Sequence, residues 1–155
     1  MSFRFHALPA ELFLHLSDRT DEELAAVGVR RMVVDENPGY PCRVSLSDGE
    51  VGEVVYLLSY VHHDVASPYR SAGPIFVREG AATARPAPNE IPPMFRHRLL
   101  SVRAYDEAAL MVAADVVQGE ALEATLRRLL DDPRVSYLHV HNAKPGCFNC
   151  RVDRA

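Results

Sequence analysis

The feature that most limits the fold is a succession of short, apolar-alternating segments joined by brief turns. Segments 30–35, 42–46, 53–62, 73–79, 99–105, 110–117, 135–142 and 148–153 carry the spacing of strands. Most connections between them are too short for a parallel crossover, which takes a dozen or more residues. The expectation is an α+β fold: a mainly antiparallel sheet with two to three short helices. A helix is expected over 21–27, where Thr20 and Glu23 form a capping-box pair and Gly28 takes the C-cap position. A second is expected over 120–131, with Leu122, Leu126, Leu129 and Leu130 as its apolar stripe and Pro133 beyond its end. Segment 9–16 suggests one further helical turn. Val54 to Leu58 is apolar on both faces, which marks a central strand. Stretch 83–93 holds Pro86, Pro88, Pro92 and Pro93 and reads as an extended connector. The halves on either side are too small to stand comfortably alone, so one domain covering 1–155 is expected.

Charge narrows the partners. Acidic residues exceed basic ones, 21 to 17, for a net charge of −4. Neutralising phosphates needs a cationic surface, so no nucleic-acid partner is expected. The longest apolar run, 108–114, falls far short of the ~20 residues of a membrane span. Residues 1–6 lack the apolar stretch of a signal peptide. From these features, with three cysteines and no secretion signal, a cytoplasmic protein with reduced thiols and no membrane partner is expected.

The densest chemistry lies in 139–150. His139 and His141 are two apart on a strand and share a face, a common way to present two metal ligands. Cys147 and Cys150 have zinc spacing. A thioredoxin-like dithiol is excluded, because too few residues follow Cys150 to form the helix that activates such a thiol. Strand parity separates the two cysteines. It places Cys150 in the core beside Val140. It gathers Tyr137, His139, His141, Asn149, Arg151 and Asp153 on the opposite face and leaves Cys147 at the edge. In that register Phe148 joins the apolar set. The Lys144-Pro145-Gly146-Cys147 turn looks like type II and suits a tight hairpin poorly, so a bulge could restore either register.

Elsewhere, loop 67–74 holds Tyr69 and Arg70 between prolines, and a guanidinium there suits a carboxylate or phosphate. Arg78 and Arg103 sit opposite apolar residues in their strands. His62 and His63 are adjacent, so on a regular strand only one of them enters a given pocket. Both read best as polar residues at a strand end. Cys42 heads an apolar face and reads as a buried thiol.

The leading expectation is a pocket for a small anionic metabolite. Tyr69, Arg70, Asn142 and Arg151 would bind it, and His139, His141 and Cys147 would act on it. A second expectation is a divalent transition metal on His139 and His141, with His62, Cys147 or a carboxylate as third ligand; no motif requires it. A third is a non-enzymatic interaction module, a homo-oligomer joined through a sheet edge or face. No motif fixes whether the protein is an enzyme.

Three strings carry a family resemblance: Pro38-Gly39-Tyr40-Pro41-Cys42-Arg43-Val44-Ser45-Leu46; Ser67-Pro68-Tyr69-Arg70 with Gly73-Pro74-Ile75-Phe76-Val77-Arg78; and His139-Val140-His141-Asn142-Ala143 with Gly146-Cys147-Phe148. Together they resemble a family of small bacterial proteins catalogued as a domain of unknown function, over nearly the whole chain. The resemblance implies a small bacterial cytoplasmic protein. It carries over no activity, cofactor or catalytic residue.

Overall fold

A computed structural model describes residues 1–155. Eight strands form two antiparallel sheets, as the alternating segments and short turns require. β1 (Phe3–His6), β8 (Phe148–Arg154), β7 (Tyr137–Asn142), β5 (Leu99–Tyr105) and β6 (Met111–Gln118) make a five-stranded sheet in that spatial order. β2 (Arg30–Val33), β3 (Val54–His63) and β4 (Ser71–Arg78) make a three-stranded one. The fold is α+β, with helices α1 (Asp21–Ala26) and α2 (Leu122–Leu130) and several short 3-10 turns. No helix is long and apolar enough to cross a membrane.

The reciprocal capping box of Thr20 and Glu23 starts α1. Helix α2 turns Leu122, Leu126, Leu129 and Leu130 onto one face of the larger sheet, where they meet Leu100, Val102, Leu138, Val140, Cys150 and Val152. The smaller sheet has its own cluster around Tyr56, Ile75 and Val77. The proline-rich connector runs between the two. Ala84 donates to the Val44 carbonyl and Asn89 to the Phe3 carbonyl. Segment 9–16 forms the expected helical turns, Ala10–Leu12 and Leu14–Asp18.

One sequence expectation needs correction, and one strand lies outside the expected segments. Segment 42–46 is not a strand. It curls into a buried loop in which Leu46 donates to Cys42 and has a φ of 51°. Its apolar alternation reflects a loop that serves both cores, with Leu46 in one cluster and Cys42 and Val44 in the other. Conversely, Phe3–His6 is a strand, and it pairs with β8 from Phe3↔Arg154 to His6↔Arg151. Its Phe-Arg-Phe-His alternation is the signal for it.

Candidate functional site

One face of the larger sheet packs on α2. The other face carries Tyr137, His139 and His141, and the end of β3 lies over it. Two bulges build this junction. The first is in β3, where Val61 pairs with Ala72 and His63 with Ser71, leaving His62 as the extra residue. That irregularity brings both adjacent histidines to the site, correcting the expectation that only one of them enters. The second is in β8, where Val140 pairs with Cys150 but His141 pairs with Phe148. Asn149 is the inserted residue. Phe148 is thereby turned to the histidine face instead of the core, a second correction. Cys150 lies beside Val140 in the core as parity requires, and burial pushes its thiol up.

His62 stacks on Phe148, with ring centroids 4.9 Å apart and planes 10° apart. It meets His141 at 5.2 Å and His139 at 6.2 Å, and the latter two stand 6.2 Å apart. His139 is 3% exposed and His141 1%. Three ring nitrogens here are buried without any hydrogen-bond partner: His62 Nδ1, His139 Nδ1 and His141 Nε2. The other nitrogen of His141, Nδ1, donates to the Gly146 carbonyl at 2.9 Å, which leaves Nε2 as a lone pair. Burial holds all three imidazoles neutral. It lowers His62 to about 4, helped by His63 and Arg103, and His139 to about 2, helped by His63 and His141. It lowers His141 to about 3 against the opposing pull of the Gly146 carbonyl. As they stand, no three histidine, cysteine, aspartate or glutamate side chains are placed to hold a metal ion together, so a metal here requires the imidazoles to move closer.

His63 differs from these three. Its Nδ1 donates to the Tyr69 carbonyl at 2.8 Å, and its Nε2 accepts from the Tyr137 hydroxyl at 2.6 Å, so both nitrogens are satisfied. Tyr105 stacks on Tyr137 and packs against His63 and His139, closing the aromatic side of the cluster. Arg103 and Arg151 flank His139 on the neighbouring strands.

The expected binding residues divide by place. Tyr69 joins the cluster through its carbonyl and its ring contact with Tyr105. Arg70 points away to Asp64 in an exposed ion pair. Arg151 lies over the Tyr137 ring at 4.1 Å and pairs with Asp153. Asn142 and Cys147 lie elsewhere. By alternation Asn142 turns to the face of Val140, and its amide donates to Cys147 Sγ at 3.3 Å and bonds Asn149. The expected residues thus divide between the histidine cluster and the β7–β8 turn, where Cys147 bonds Asn142 and Arg43.

Sequence reasoning missed Arg43. It is 1% exposed and touches no carboxylate. Its guanidinium donates to the Phe148 carbonyl at 2.7 Å, the Pro41 carbonyl at 2.5 Å and Cys147 Sγ at 3.0 Å. Burial lowers its pKa and Cys147 opposes that shift. A strand reading of 42–46 hid Arg43 by pointing it at solvent.

A family model described as a protein of unknown function, DUF1203, matches residues 39–154. The chain belongs to this family. The match begins at Gly39, so it takes in the buried loop, β3 to β8 and every residue of the histidine cluster, and leaves β1, α1 and β2 outside. No curated protein and no solved structure matches the chain.

Proposed function

We propose that this DUF1203 protein binds one divalent transition-metal ion through His62, His139 and His141. One observation carries the reading: three buried, neutral imidazole nitrogens face one cluster from two sheets and have no partner. Buried polar atoms are nearly always satisfied, and one ion could satisfy all three nitrogens once His62 and His139 carry their protons on Nε2, as His141 carries its proton on Nδ1. The second-neighbour chemistry agrees. A ligating histidine ordinarily donates its other nitrogen to a carbonyl or carboxylate, as His141 does to Gly146. Spacing supports it as well. Metal–nitrogen bonds of about 2.1 Å put the ring centroids of tetrahedral ligands roughly 5 Å apart. The His62–His141 pair is at that distance, and the two 6.2 Å pairs need to close by about 1 Å. None of the five principal cavities is lined by these histidines, which favours an ion over an organic molecule.

A metal ion held by His62, His139 and His141 would supply Lewis-acid chemistry, polarising a bound water or a substrate oxygen. His63, fixed between Tyr69 and Tyr137, serves as a positioning group rather than a ligand. Three unpaired cysteines accord with a protein working in the cytoplasm.

Dialysis of untagged protein against zinc or cobalt, followed by elemental analysis, tests the reading. The expected result is one ion per chain, lost in the His139→Ala, His141→Ala double variant and kept in Cys147→Ser. A protein that retains no ion after add-back, or a double variant that retains it, contradicts the proposal.

A further inference from the structure

We infer a second site: the cleft beside the β7–β8 turn binds a small anion bearing a carboxylate or phosphate. The cleft encloses about 460 Å³, within the range of small-molecule sites, and all but one of its nine lining residues are non-hydrophobic. Pro41, His97, Arg98, Gln118, Asn142 and Lys144 contribute to it. A lining with so little apolar surface suits a ligand that is polar throughout.

Charge decides the sign of that ligand. Arg98 is spent on Asp48, which it grips with both terminal nitrogens, and it also donates to the Met94 carbonyl at 2.6 Å. Lys144 is exposed and enters no ion pair. Behind the wall lies Arg43. Its charge is held by Pro41, itself a lining residue, and by Cys147 Sγ, which also takes a bond from the lining residue Asn142. Three cations, Arg43, Arg98 and Lys144, thus stand at the cleft against two carboxylates, Asp48 and the Glu36 side chain that lies against Gly39, on a chain whose net charge is −4. Arginine stays protonated when buried, and a buried charge without a counter-ion sends its field through the low-dielectric wall into the cleft. His97 stands 3.3 Å from the same Asp48 carboxylate.

Two backbone bonds tie the lining residues Arg98 and Leu99 to neighbouring segments. The Gly119 amide donates to the Arg98 carbonyl at 2.8 Å and the Ala143 amide to the Leu99 carbonyl at 3.0 Å. None of His62, His139 and His141 lines the cleft.

Titration of metal-free protein with inorganic phosphate and, separately, with succinate by calorimetry tests the inference and separates the two anion classes. One of the two is expected to bind saturably at a single site. Binding weakens about tenfold in Lys144→Glu and falls in ~0.3 M salt. Lys144→Arg and the His139→Ala, His141→Ala double variant keep it, so failure of the metal reading leaves this test intact. Absence of saturable binding by either anion, or Lys144→Glu binding as tightly as the parent, overturns it.

Discussion

Three buried imidazole nitrogens in the cluster, His62 Nδ1, His139 Nδ1 and His141 Nε2, carry a desolvation cost that no hydrogen bond offsets. The same burial keeps the rings neutral, which is the form that offers a lone pair. It also fixes how the metal-free protein responds to acid. The folded values of about 4, 2 and 3 lie below the ordinary value of 6.5. Below pH 6.5 the unfolded chain therefore binds more protons than the folded one, and stability falls as pH drops. The loss begins near pH 6.5 and deepens toward pH 3. Its slope approaches about 1.4 kcal/mol per pH unit for each fully buried imidazole. Urea unfolding of chelated, dialysed protein at pH 7.5 and pH 5 checks this. The midpoint is expected to fall, and to fall less in His139→Gln; a midpoint unchanged between the two pH values contradicts it. At this scale His139 and His141 were legible from parity alone. His62 and His63 were not, because adjacent residues share a site only where a bulge intervenes, and nothing in the sequence announces that bulge.

Among the elements, the two bulges and one buried loop place the chemistry. Parity over 137–142 gives the correct pairing of Val140 with Cys150, yet the inserted Asn149 redirects Phe148 to the histidines. Asn149 is fully buried, and its amide is satisfied by Asn142, which explains why a polar residue is tolerated there. The junction between β6 and α2 is equally specific. A Cβ on Gly119 would lie 1.9 Å from the Phe95 carbonyl oxygen and 2.7 Å from Arg96 backbone atoms. Gly119→Ala is expected to cost about 3 kcal/mol, since backbone on both sides has to move. Thermal unfolding checks it: an unchanged melting temperature contradicts the packing described for the turn that holds Arg98.

Across the whole molecule, the two sheets each own a core, and the histidine cluster forms where the end of one crosses the face of the other. Short turns and alternation were enough to read the α+β class and the antiparallel pairing. They could not show that strands far apart in sequence split into two sheets, because pairing between distant strands leaves no local pattern. They also could not show that loop 40–48 lies inside, since an alternating buried loop and a half-buried strand look alike in sequence. The site is therefore a property of sheet crossing, legible in its β7 half and hidden in its β3 half. The most direct test of the metal reading is X-ray absorption of the zinc-loaded protein. Three imidazole nitrogens at about 2.0–2.1 Å, without sulfur at about 2.3 Å, are predicted. A first shell containing sulfur, or one of oxygen alone, would contradict the proposed ligand set.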